Sequence, residues 1–154
     1  MDEFLLAPLL ASDPIRDAID FCNPLASISN VTISMDCCGD QVFVKANALR
    51  LQQVLINMIS NAIKYTAQGT DITIRTRPST VGETIGTLRK AIASCDWEDS
   101  TSYMPPESTS VLVFSVSDFG PGIAKHQATL LFQRFARLSQ PTRTLGGNNI
   151  GQPS

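Results

Sequence analysis

Asn57, Asn61 and Lys64 stand at i, i+4 and i+7 in the run Asn-Met-Ile-Ser-Asn-Ala-Ile-Lys-Tyr-Thr that occupies residues 57–66. On an α-helix, at about 100° per residue, the three side chains fall within roughly 60° of arc. A carboxamide oxygen can ligate Mg²⁺ or its waters without adding charge, and an ammonium can sit on phosphate oxygens. Such a stripe suits a metal triphosphate. A solvated polar face would look the same, but asparagine costs a helix about half a kcal/mol relative to alanine, and two of them mid-helix want a reason.

A second group of chemistry-bearing residues is Ser117-Asp118-Phe119-Gly120-Pro121-Gly122-Ile123, directly after an apolar run. A carboxylate at a strand end can accept a hydrogen bond from an exocyclic amine, and two glycines let the backbone turn sharply and approach a flat ligand. A turn of Asp-x-Gly-x-Gly type with no ligand is the other reading of these residues. Further on, Phe132 and Phe135 lie one helical turn apart between Leu131 and Arg137, which taken alone is core packing with a basic outer face. Gly146, Gly147 and Gly151 belong to a Gly/Asn-rich tail that could wrap phosphates through backbone N–H groups, or could equally be a frayed terminus.

The elements that must position these groups are readable from periodicity. Asp13 before Pro14 predicts a capped helix from about Pro14 to Ala26, with Ile15, Ala18, Ile19, Cys22, Leu25 and Ala26 at helical spacing. Two short β-type runs, 31–35 and 42–45, are separated by residues 36–40 with Gly39 as a turn signal, the pattern of a hairpin. Asn47 predicts the cap of a second helix, closed by Gln68-Gly69, whose apolar stripe is Leu51, Val54, Leu55, Met58, Ile59, Ala62 and Ile63. Asn57, Asn61 and Lys64 face away from that stripe.

Residues 72–77 alternate as a half-buried strand, and Val111 to Ser117, apolar on both faces at its start, reads as a central strand. Between them, residues 78–110 are too long for a hairpin loop and read as a surface insertion. Ile85, Leu88 and Ile92 there are spaced for a turn or two of helix, with Trp97 packing back on the body. Residues 1–13 read as a linker and 14–154 as the domain.

Composition bounds the function classes. A chain of 154 residues with 43% hydrophobic content can bury one core. A net charge of -2, with no local stripe of Lys and Arg, argues against nucleic acid as a partner. The apolar run Phe4 to Ala11 is too short to span a bilayer and no basic residue precedes Arg16, so a cytoplasmic segment without membrane contact is expected, whatever anchors a longer parent protein. Cys22, Cys37, Cys38 and Cys95 show neither Cys-x-x-Cys nor His partners at zinc spacing, which fits free thiols.

In order and spacing, the four segments around Asn61, Asp118, Phe132 and Gly146 resemble the N, G1, F and G2 boxes of the histidine-kinase ATP-binding domain, within the wider gyrase, heat-shock chaperone and MutL ATPase superfamily. The resemblance runs from about Pro14 to Gly151 and is most specific over residues 51–66. It implies an α/β (α+β) two-layer sandwich, a mixed, mainly antiparallel sheet packed on three helices, with ATP held between two helices under a mobile lid. It would make Asn61 the principal Mg²⁺ ligand, put Asn57 and Lys64 on the metal or phosphates, and let Tyr65 border the nucleotide. Asp118 would accept the adenine amino hydrogen, and Gly120, Gly122 and Ile123 would belong to the adenine floor. Phe132 and Phe135 would anchor a lid from about Arg137 to Gly147, with Arg137 a candidate for the terminal phosphate and Gly146, Gly147 and Gly151 wrapping the triphosphate.

Position 57 narrows the implied chemistry. Water-activating branches of the superfamily carry Glu there, whereas an amide such as Asn57 cannot act as a general base. Asn57, Lys64 and Arg137 would then serve transfer of the γ-phosphate of MgATP to a histidine in phosphorelay signalling. His126, the only histidine, lacks the acidic neighbour of the family's phosphorylated residue and reads as an ordinary surface residue. The acceptor is therefore expected on a separate dimerisation region, upstream or in trans, with a response regulator beyond it. The tail departs from the family pattern: Asn149 replaces the third glycine, Gln152 replaces the last leucine, and the chain stops at Ser154, before the family's next helix and strands. Those departures predict a marginally stable domain with weakened nucleotide affinity, and leave open a degenerate, non-catalytic relative that serves as an interaction module.

Overall fold

The computed structural model describes residues 6–39, 41–91 and 105–123. In chain order its elements are β1 (Ala7–Leu10), α1 (Ser12–Ile28), β2 (Thr32–Asp36), β3 (Phe43–Ala46), α2 (Ala48–Tyr65), β4 (Asp71–Thr80), α3 (Val81–Ala91) and β5 (Ser110–Ser117).

α1 starts at Ser12 with Ala11 at the N-cap position and no side-chain cap bond, so Asp13 does not cap it as expected. Asp13 lies in the first turn instead, where its charge still complements the helix N-terminus. The helix continues through Pro24 and past Ala26 to Ile28. It closes in a Schellman motif: Asn30 takes φ 53°, its N–H donates to the Ser27 carbonyl at 3.2 Å, and the Val31 N–H donates to the Ala26 carbonyl at 3.0 Å. This closure drops Val31 into the core beside Ala26.

The hairpin expected from residues 31–45 does not form. β3 instead pairs antiparallel with β1, Ala7 opposite Ala46 and Leu10 opposite Phe43, so residues 7–10 are a strand rather than linker. β2 pairs in parallel with β4, from Thr32 opposite Asp71 to Asp36 opposite Arg75. A parallel pair needs a long crossover, which residues 37–70 supply with β3 and α2. Cys38 is tied to β4 instead. Its N–H donates to Thr76 Oγ1 at 3.0 Å, and its Sγ lies 3.4 Å from the same oxygen. The chain is thereby held along β4 beyond the end of β2, and Gly39, at φ 69°, turns it toward β1 rather than back on itself.

β4 also pairs antiparallel with β5, from Thr73 opposite Ser117 to Thr80 opposite Ser110. The order β2-β4-β5 makes β4 the middle strand and puts β5, expected to be central, at the edge among the described residues. Burial agrees: Ile72 and Ile74 on β4 are fully buried, whereas Phe114 and Val116 on β5 are only partly so. β4 runs on to Thr80, so residues 78–80 belong to the ladder and not to the insertion, which continues as α3 with Ile85 and Leu88 on it. Ile92, Cys95 and Trp97 lie outside the described residues.

The two layers meet in one core. Ile15, Ala18 and Cys22 of α1 pack with Leu55, Ile59, Ala62 and Ile63 of α2 over Ile72 and Ile74 of β4, giving the mixed sheet backed by helices that the sequence implies. Burial raises the Cys22 thiol above its ordinary pKa, so it packs as a neutral small apolar group. Among the described residues no helix is long and apolar enough to cross a membrane.

Ile59 is fully buried at the meeting of both helices and the sheet, so Ile59→Ala should cost about 2–5 kcal/mol of stability. Asn47→Ala, which removes only a helix cap, should cost about 1 kcal/mol. Urea unfolding of both variants checks the order, and equal losses would mean that α2 does not pack on the core as described.

Candidate nucleotide site

α2 sets up one half of the site. The Asn47 side chain caps it, Oδ1 accepting the Arg50 N–H at 3.0 Å, and burial of Leu55, Ile59, Ala62 and Ile63 fixes its rotational phase. That phase leaves Asn57, Asn61 and Lys64 exposed. Beside them on the helix surface lie Val54, Met58 and Tyr65, which are 53%, 36% and 41% exposed. Val54 and Met58 were expected in the core. The partners of α2 cover a narrower arc than its apolar stripe, so the stripe's edge stays open among the described residues.

The open face is consequently two-toned. At about 100° per residue, Lys64, Asn57 and Asn61 form its polar edge, and Val54, Tyr65 and Met58 its apolar edge. The carboxamides of Asn57 and Asn61 hydrogen-bond to no described residue; beyond the helix's own bonds, Ser60 Oγ donates to the Asn57 backbone carbonyl. Lys64 Nζ sits 5.0 Å from the centroid of the Tyr65 ring. An exposed cation–π contact of this kind is worth about 0.5–1 kcal/mol, a hold that a phosphate group can outcompete.

The residues after β5 supply the other half. Gly120 N–H donates to Asp118 Oδ1 at 2.7 Å, which fixes the carboxylate's direction while its second oxygen makes no hydrogen bond within the described chain. Phe119 N–H donates to Thr66 Oγ1 at 3.1 Å, crossing 53 residues of sequence to the end of α2. A Cβ at position 120 would stand 2.9 Å from the Tyr65 carbonyl oxygen and 2.7 Å from Asp118 Oδ1, so only glycine allows this approach. Gly122 takes φ 72°, the left-handed conformation its position in the turn requires. Phe119 and Ile123 remain 69% and 49% exposed on the same loop.

Asn57, Asn61, Lys64 and Tyr65 are therefore brought to one helix, and Asp118 and Gly120 are docked on the C-terminal end of that helix. Gly122 and Ile123 follow on the loop. Phe132, Phe135, Arg137, Gly146, Gly147 and Gly151 lie outside the described residues, as does His126. Thr66 was given no role by sequence reasoning, although it ends the N-box run; the one available signal was a hydroxyl at the helix terminus, where such groups bond to backbone.

No cluster of three or more His, Cys, Asp or Glu side chains suited to a metal occurs among the described residues. The donor set that is present fits a different arrangement, in which neutral carboxamides meet a hard cation whose remaining ligands are phosphate and water oxygens. A small cavity between Ala11, Cys38, Val42 and Thr76 shares no residue with the site.

Comparison with known proteins shows the family. Residues 46–153 match the family described as histidine kinase-, DNA gyrase B-, and HSP90-like ATPase. The histidine kinase CKI1 of Arabidopsis thaliana is 24% identical over 97% of this chain and 15% of its own length. The sensor histidine kinase WalK of Bacillus subtilis is 30% identical over 71% of this chain and 14% of its own. The chain thus spans about a seventh of the length of these relatives. Among solved structures, the mycobacterial sensor histidine kinase MprB superposes with a TM-score of 0.57 at 20% identity, covering 92% of this chain and 72% of that one. Full-length ShkA in complex with AMPPNP gives 0.56 at 22% identity, covering 81% and 21%. The chain belongs to the family of histidine kinase-, DNA gyrase B- and HSP90-like ATPases, as a domain of the histidine kinase type.

Proposed function

We propose that the chain is the MgATP-binding catalytic module of a sensor histidine kinase. The observation that carries this reading is the docking of the Asp118 loop on the end of α2, which joins a fixed carboxylate to the open face bearing Asn57, Asn61 and Lys64. Adenine would lie at the loop, with its amino group donating to the free oxygen of Asp118 and its rings against apolar side chains such as Tyr65 and Ile123. The triphosphate would run along the polar edge of α2. Asn61 would ligate Mg²⁺, Asn57 would hold the metal's waters or a phosphate oxygen, and Lys64 would leave the Tyr65 ring for the phosphates. When bound, Mg²⁺ supplies neutralisation of the charge that develops on the phosphate oxygens.

In the reaction, the unprotonated ring nitrogen of an acceptor histidine attacks the γ-phosphorus, the bond to the bridging oxygen of ADP breaks, and the proton on the other ring nitrogen passes to solvent or a neighbouring base. The groups assigned to this chain position and neutralise; none of them activates water. Asn57 has no basic lone pair to take a proton, which supports transfer over hydrolysis. The acceptor histidine would lie on a dimerisation region elsewhere in the full protein or in trans, and a response regulator would receive the phosphoryl group in turn. Similarity to the histidine kinases CKI1 and WalK supports this assignment. Arg137 and the phenylalanines Phe132 and Phe135 would complete the site from the lid side.

Titration calorimetry with MgATP should give a measurable binding heat that Asp118→Asn weakens by roughly tenfold or more, the scale of a charge-assisted hydrogen bond. Absence of heat at millimolar nucleotide, or unchanged affinity in the variant, contradicts the reading. Gly120→Ala, whose Cβ collides with the Tyr65 carbonyl, should lower both stability and MgATP affinity, with a stability loss of about 1–3 kcal/mol. Retention of both in this variant would mean that the loop does not dock on α2.

A further inference from the structure

Thr66 sits between the two halves of the site without belonging to either. Its backbone N–H ends α2, donating to the Ala62 carbonyl at 2.9 Å, while its side chain leaves the helix. The direction of the surrounding hydrogen bonds can be assigned. Thr70 Oγ1 donates to the Ala67 carbonyl at 2.6 Å, which uses its only hydrogen. The 3.0 Å contact between Thr66 Oγ1 and Thr70 Oγ1 is therefore donated by Thr66. With its hydrogen so committed, the Thr66 oxygen is left to accept, and it takes the Phe119 N–H at 3.1 Å. The result is a one-way relay from Phe119 N–H through Thr66 and Thr70 to the Ala67 carbonyl, in which each bond polarises the next.

The far end of the relay is itself anchored, because the Thr70 carbonyl accepts the Thr32 N–H at 3.2 Å at the start of the β2–β4 pair. The near end holds the amide next to Asp118. Its other fixed contact with α2 is the close approach of Gly120 to the Tyr65 carbonyl, a contact that limits distance but does not pull. Among the described residues, Thr66 thus supplies the attractive tie that sets where Asp118 stands relative to Asn57, Asn61 and Lys64.

We propose that Thr66 is a positioning residue for base recognition: through its bond to Phe119 it places the Asp118 carboxylate, and so makes the site select adenine, while leaving phosphate binding untouched. This rests on the assignment of Asp118 to adenine made above. The two binding halves can be separated experimentally, because Mg²⁺ with inorganic tripolyphosphate does not need the Asp118 loop, whereas MgATP does.

The test compares Thr66→Val, which keeps shape and loses the acceptor, with Thr66→Ser, which keeps the acceptor, by calorimetry against MgATP and against Mg²⁺-tripolyphosphate. Thr66→Val should weaken MgATP by roughly tenfold and leave tripolyphosphate within about twofold, while Thr66→Ser should stay within about threefold of the original for both. Thr70→Val, which breaks the relay one step further on, should fall between them. Equal losses for the two ligands, or Ser as poor as Val, would overturn the proposal. Exchange of the Phe119 amide in nucleotide-free protein reads the tie alone: roughly tenfold faster exchange in Thr66→Val supports it, and no change overturns it. Failure of the unsubstituted chain to bind MgATP, with the exchange result intact, would instead overturn the assignment of the pocket.

Discussion

The approach of Gly120 to the carbonyl of Tyr65 is the constraint on which the candidate site depends. A Cβ there would stand 2.9 Å from that oxygen, inside any real contact distance, so the backbone after β5 can rest on the end of α2 only where no side chain intervenes. With that contact made, Phe119 reaches Thr66, Gly120 turns the Asp118 carboxylate, and a segment from the sheet edge becomes continuous with the open face of a helix. Without it, Asp118 and Asn61 would be two polar groups on unrelated surfaces.

The core serves this junction by fixing the phase of α2. Leu55, Ile59, Ala62 and Ile63 are held against α1 and β4, and the helix cannot rotate without exposing them. At about 25 cal/mol per Å² of apolar surface, a rotation that uncovered even one such side chain would cost about 1.5–3 kcal/mol. The orientation of Asn57, Asn61 and Lys64 is thus set by residues that never meet a ligand. The same packing leaves Val54, Met58 and Tyr65 uncovered beside them, and an open apolar edge next to unpaired carboxamides matches a ligand with a flat ring at one end and charge at the other.

Local chemistry made part of this architecture readable before any coordinates. The Asn47 cap and the stripe of α2 follow from propensity and period, which act over a few residues, and both the helix and its exposed Asn57, Asn61 and Lys64 emerged where the pattern put them. Long-range pairing was less legible. Residues 31–45 carry a hairpin's local signature, yet β2 lies parallel to β4, β3 lies against β1, and Cys38 between them bonds to Thr76, 38 residues away. Likewise β5 looked central from its apolar run, yet among the described residues only β4 pairs with it. Asp118 and its glycines could be recognised as a turn fit for a flat ligand, but the bond from Phe119 to Thr66 crosses 53 residues and has no sequence period to announce it.

The proposed site stands on one contact, that of the carboxamide edge of α2 with the metal-bearing end of a nucleotide. Paramagnetic broadening by MnATP, followed on the side-chain NH₂ signals of the asparagines by NMR, tests it most directly. Mn²⁺ replaces Mg²⁺ on the same oxygens and broadens only what lies near it. The signals of Asn57 and Asn61 should disappear at substoichiometric MnATP while those of Asn23, Asn30 and Asn47 persist. Broadening that spares Asn57 and Asn61, or that falls equally on all five, would contradict it.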